Sequence, residues 1–175
     1  MIRLLRRMFG PKYVRPPEEL AQNGTESAVS RVGREIYTGT ATVVVYDVES
    51  LKHRFDDEVD WWADPKDEIE ELVKRNVLII GLRSDGFYDV LTTDNAEGAQ
   101  QSFSLSFPSG RVFIGPGEEL TGGGAEPTGQ NGGFFTSVAP GDYKIAVSRK
   151  DDFLTLGIIR ERPFKNIEKP VTIDA

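Results

Sequence analysis

The feature that most limits this chain is a strict alternation at residues 102–107, Ser-Phe-Ser-Leu-Ser-Phe, in which every second side chain is apolar. A period of two puts successive side chains on opposite faces of an extended strand, one packed and one wet. Residues 40–48 carry Val43, Val44, Val45 and Tyr46 in a row, which predicts a strand buried on both faces and central in its sheet. Further β-branched or aromatic runs stand at 77–82, 87–93, 111–114, 134–138, 143–148 and 153–159. Between them lie Ser84-Asp85-Gly86, Pro108-Ser109-Gly110, Pro140-Gly141-Asp142 and Lys150-Asp151-Asp152, all suited to turns. The Asp85-Gly86 pair predicts a hairpin joining 77–82 to 87–93. A short edge strand is expected near 171–173.

About eight strands joined mostly by short turns leave no room for the helices of a doubly wound α/β fold. The expected class is all-β or β-rich: an antiparallel β-sandwich or flattened barrel, with one short helix packed at its side or end. At 175 residues the chain fits one such domain. The polar, poorly periodic stretch 16–35 reads as a linker. It divides a basic N-terminal segment and linker, 1–35, from a single sandwich domain, 36–175.

The one well-marked helix begins at Asp64, a good N-cap, with Pro65 in the first helical position and Asp67 three residues after the cap. Ile69, Leu72 and Val73 form one apolar face, expected to be the packed one. Glu70 and Lys74 stand at a favourable i,i+4 spacing, and Asn76 is a plausible exit.

Charge separates along the chain. The total is −7, yet residues 1–15 hold Arg3, Arg6, Arg7, Lys12 and Arg15 with no acid. Residues 47–71 hold eleven acids against Lys52, Arg54 and Lys66, a local balance of −8. An acidic protein of this kind disfavours nucleic acid and favours a basic partner. The basic start lacks the apolar core of a signal peptide, and no run is long enough to span a bilayer. It reads as a short helix or tail, with a weak membrane contact through Leu4, Leu5, Met8 and Phe9 as the alternative. Cysteine is absent, which removes disulfides, thiolate nucleophiles and Cys-based zinc sites and fits a cytoplasmic location.

The acids Asp56, Asp57, Glu58, Asp60 and Asp64 surround the pair Trp61-Trp62. They lack the spacing, glycine and terminal glutamate of an EF-hand, so no metal is expected there. A solvated acidic loop and a surface for a basic partner remain as readings. Tryptophan among charges is typical of interface hot spots. One indole is expected to cap the core beside the helix N-terminus while the other is more exposed. The single histidine, His53, cannot build a multi-histidine site and reads as structural or surface. Residues 115–133 contain eight glycines and two prolines but no lysine or arginine. They match no phosphate-binding fingerprint and read as a flexible surface loop, with a partner-binding or lid role as the alternative. Asp85 and Asp142 are explained by turn chemistry.

Trp61-Trp62 before a proline-led acidic helix, the run VLIIGLRSDGFYDV at 77–90 and APGDYKIAVS at 139–148 resemble an uncharacterised bacterial β-sandwich family. FSLSFP at 103–108 and the Pro-Gly-Asp-Tyr turn are loosely similar to the inhibitor that accompanies the bacterial competence nuclease. The layout of residues 38–160 carries this resemblance, which implies a sandwich and transfers no functional residue. The functional expectation is a noncatalytic protein-binding or inhibitor-type domain whose Asp56, Asp57, Glu58, Asp60, Trp61, Trp62 and Asp64 face a basic partner, with no cofactor. A small-molecule or carbohydrate-binding sandwich, and a hydrolase using carboxylates that the sequence does not identify, are the alternatives.

Overall fold

A computed structural model describes residues 32–161. The basic segment before residue 32 and the expected strand at 171–173 lie outside the described residues. Among the described residues nine strands form two sheets. They are β1 (Gly33–Thr38), β2 (Thr42–Asp47), β3 (Val77–Gly81), β4 (Gly86–Thr93), β5 (Gln101–Phe107), β6 (Arg111–Pro116), β7 (Phe134–Ser137), β8 (Gly141–Lys150) and β9 (Phe153–Arg160). One sheet has the order β1-β4-β9-β8-β5, the other β3-β2-β6-β7. The fold is a β-sandwich, and the eight strands expected within 40–159 are all present.

Its inner layer is built from the alternation. Ile36, Val90, Leu105, Phe107, Ile145, Leu154, Leu156 and Ile158 of the first sheet meet Val43, Val45, Val112, Ile114 and Phe134 of the second. As expected, β2 is central, paired with β3 on one side and β6 on the other. Its other face, Val44 and Tyr46, is buried as well, in a second cluster with Leu51, Trp61, Val77, Phe113 and Leu120.

Three expectations need correction. The Asp85-Gly86 turn is no hairpin, because β3 and β4 belong to different sheets. The turn is a corner that carries the chain across the sandwich, and Tyr88 OH anchors it by donating to the Ser84 carbonyl at 2.7 Å. Pairing is not wholly antiparallel either, since β4 and β9 run parallel. The strand β1 begins inside the stretch read as linker. Its outward positions are Gly33, Glu35 and Tyr37, and only Ile36 and Thr38 are buried, so its apolar signal is thin.

The helix α1 (Pro65–Val73) starts where expected, with the Asp64 carboxylate accepting from Lys66 N at 2.8 Å. Its packed face is not the apolar one. Ile69 and Val73 are 57% and 77% exposed, and the buried residue is Glu71. The helix docks by a carboxylate onto waiting cations, a preference that hydrophobic periodicity does not register. The exit falls one residue early, with Arg75 at φ 63°.

Candidate functional site

Two long connections fold over the outer face of the four-stranded sheet and make the site. The first runs from β2 to β3 and contains the 3-10 segments Val48–Arg54 and Trp61–Ala63 and then α1. The second joins β6 to β7 and is the glycine-rich stretch. The first is anchored at its start by Asp47, fully buried, whose carboxylate accepts from Glu49 N, Ser109 N, Ser109 Oγ and Gly110 N. This caps the 3-10 segment and ties it to the β5–β6 turn.

Beneath the acidic segment Arg54 and Glu71 form a hub. Glu71 Oε1 accepts from Arg54 Nε at 3.0 Å, from Arg54 Nη2 at 2.9 Å and contacts His53 Nε2 at 2.9 Å. Its other oxygen accepts from Asn76 Nδ2 at 2.7 Å. Burial pushes the Glu71 carboxyl up, but the bonds from Asn76, His53 and Arg54 outweigh it and hold the group below the usual carboxylate range. Arg54 meets Asp57 at 3.0 Å and Asp67 at 3.4 Å, with Glu70 at 3.9 Å. Burial works against its charge, and the bonds to Asp57 and Glu71 more than restore it, so the guanidinium is held above its ordinary value. The same guanidinium lies 4.8 Å from the Trp61 ring centroid.

Trp61 is buried and donates its indole N–H to the Thr121 carbonyl at 2.8 Å. That bond joins the acidic segment to the glycine stretch. Two more follow, from Gly123 N to the Asp57 carbonyl and from Gly124 N to the Phe55 carbonyl, both 2.7 Å. At Gly123, with φ 60°, an added Cβ would lie 2.5 Å from Val59 Cγ2, so both the backbone and the space require glycine. The stretch read as a flexible loop is therefore packed. Leu120, Thr121, Gly122 and Pro127 are buried, and the Glu119 carboxylate accepts from Thr128 N, Gly129 N and Asn131 N. Tyr46 donates to the Glu119 carbonyl at 2.9 Å, and burial raises its phenol pKa.

The expected site residues therefore separate. Trp61 is floor, and Trp62, half-buried, packs on the same cluster from outside. Asp57 is drawn to Arg54 and Asp64 caps α1. Asp56, Glu58 and Asp60 stay exposed, and among the described residues no basic side chain pairs with them. Val59, between two of them, is 63% exposed. The result is a ridge of free carboxylates around an apolar tip, held rigid from below. Glu71 and Arg54 were missed as organising residues. Their only signal was charge in an already charged stretch, and nothing in the spacing singles out either.

The chemistry of the site is that of a surface. Among the described residues no group of His, Asp and Glu is placed to hold a metal, and no hydroxyl or amine bonds to His53. A groove of about 390 Å3 lies on the five-stranded sheet, away from the tryptophans. No described helix is long and apolar enough to cross a membrane.

No curated protein matches the sequence. Among solved structures the chain is similar to "Crocagin biosynthetic gene J", with 18% identity and a TM-score of 0.46 over 76% of this chain and 99% of that one. It is also similar to ComJ from Bacillus subtilis, an inhibitor of the DNA degrading activity of NucA, with 9% identity and a TM-score of 0.45 over 77% and 100%. A family model matches residues 31–173, and the chain belongs to that family, DUF6386, a family of unknown function.

Proposed function

We propose that this protein is a noncatalytic, inhibitor-type binding domain that meets a basic protein partner, in the cytoplasm, through the ridge of Asp56, Glu58 and Asp60. The observation that carries the reading is the contrast within one acidic segment. Asp57, Asp67, Glu70 and Glu71 converge on Arg54, while Asp56, Glu58 and Asp60 pair with no cation among the described residues and bracket exposed Val59 beside half-buried Trp62. Free carboxylates steer a cationic surface toward the ridge, and the apolar tip supplies area that is desolvated on contact. The hub and the glycine stretch hold the ridge in place before binding, which lowers the ordering cost of association. Occupying a partner's basic surface blocks whatever that surface would otherwise bind.

The test is affinity capture from the source cell with the wild type, with the triple variant Asp56→Asn, Glu58→Gln, Asp60→Asn, and with Trp62→Ala. The wild type is expected to retain a basic protein that is lost in the triple variant, weakened in Trp62→Ala and released by salt. Equal retention of the same partners by the wild type and the triple variant would overturn the reading.

A further inference from the structure

The outer face of the five-stranded sheet carries an unusual surface. On β1 and β4 the buried residues Ile36, Thr38, Tyr88 and Val90 alternate with outward Glu35, Tyr37, Phe87, Asp89 and Leu91. Phe87 is 62% exposed, and Phe153 of the neighbouring β9 is 61% exposed. Tyr37 pairs with Phe87 in register, their ring centroids 5.0 Å apart. Glu35 pairs with Asp89, and Asp89 in turn with Phe153. Two like charges directly opposite each other on adjacent strands destabilise a sheet unless something cationic joins them. Among the described residues no basic side chain forms an ion pair with either. Arg34, at the rim, is turned to the Phe134 ring at 5.9 Å. A groove of about 390 Å3 runs beside these groups, lined by Gly33, Glu35, Asp89, Leu91, Phe153 and Thr155 among others. It is open because Gly33 stands opposite Leu91 with no side chain, and a Cβ there would meet only Leu91 Cδ1 at 3.8 Å.

We propose that this groove binds an arginine side chain of a protein partner, its guanidinium between the Glu35 and Asp89 carboxylates and against the Phe153 ring. A guanidinium is planar, weakly hydrated and able to bond carboxylates while stacking on an aromatic face, which an ammonium does less well. The molecule builds this arrangement twice with its own arginines. Arg54 joins carboxylates and lies over Trp61, and Arg111 lies 4.4 Å from the Phe135 centroid and 3.5 Å from Glu126. At the groove the ring and carboxylate halves are present, and among the described residues no arginine pairs with these carboxylates. The site is separate from the acidic ridge and stands whether or not the ridge binds a partner.

The experiment is an NMR titration of the full chain with a blocked Gly-Arg-Gly-Arg-Gly peptide, beside the same peptide with citrulline in place of arginine. Saturable shifts are expected at Glu35, Asp89, Leu91 and Phe153, with the citrulline peptide about tenfold weaker. Gly33→Leu fills the groove and keeps every charge, and it should abolish the shifts. The pair Glu35→Gln, Asp89→Asn should weaken binding about tenfold. Shifts confined to Asp56–Asp60, equal binding of citrulline, or a Gly33→Leu protein that binds normally would each overturn the proposal. Binding that appears only after Arg3, Arg6 and Arg7 are changed to Gln would overturn it too, because the groove would then belong to the chain's own basic segment.

Discussion

The two sheets share one inner core and treat their outer faces in opposite ways. Over the four-stranded sheet, the β2–β3 and β6–β7 connections cover Val44, Tyr46 and Phe113 and create a second apolar layer. Over the five-stranded sheet, Tyr37, Phe87 and Phe153 remain open beside Glu35 and Asp89. Aromatic residues thus mean different things on the two sides. Trp61 on the covered side completes a layer and has its N–H satisfied, whereas Phe153 on the open side has neither a lid nor a partner ring among the described residues. Position relative to the long connections, and not residue type, decides which aromatics stabilise the fold and which are free to bind.

The widest test of that contrast pairs Trp61→Ala with Phe153→Ala. Loss of the buried indole is expected to cost about 3–5 kcal/mol. Truncation of Phe153 should change stability by no more than about 0.5 kcal/mol, as at ordinary surface sites. Urea unfolding of the two variants measures both, and similar losses would break the comparison.

A smaller effect sharpens the covered side. Glu71→Ala leaves the Arg54 charge without its buried acceptor and is expected to cost about 3 kcal/mol near neutral pH. Because the folded carboxyl sits below its ordinary value, the unfolded state binds the proton more readily, and the stabilisation is complete above about pH 4.3. It is lost as pH falls from there through the folded value. The gap between wild-type and variant urea midpoints should therefore be constant above that range and close below it. A gap that widened on acidification would contradict the assignment.

The smallest expected effect concerns α1. If Ile69 and Val73 were the packed face, replacing each with Ser would cost about 1.5–3 kcal/mol. Exposed as they are, the expected change is within about 0.5 kcal/mol, read from the same unfolding curves. A large loss from Val73→Ser would mean that the helix packs by its apolar stripe after all.

Much of this was legible in advance where the information is local. The alternation at 102–107 and the valine run of β2 announced their strands because strand patterning depends only on neighbours two residues apart. Asp64 and Pro65 announced the helix start for the same reason. The candidate site was legible as a segment and not as a geometry. Asp56 and Asp57 are adjacent and chemically alike, yet one is free and the other pairs with Arg54. Asp57 turns back to the guanidinium three residues before it, while Asp56 faces outward. Gly33 read as linker, because a groove is made by what stands opposite a glycine and the sequence does not contain that.

By itself the sequence determined a β-rich sandwich with one capped helix and a concentrated negative charge, since period, turn chemistry and net charge are properties of short stretches. Tertiary structure alone decided that the Asp-Gly turn crosses between sheets, that the glycine stretch is clamped by Trp61 and Glu119, and that Glu71 is buried against Arg54 while Asp56, Glu58 and Asp60 stay exposed. Each of those outcomes depends on a partner many residues away. Hydrogen bonds and ion pairs are short-ranged in space, and only the folded chain sets which groups come within reach.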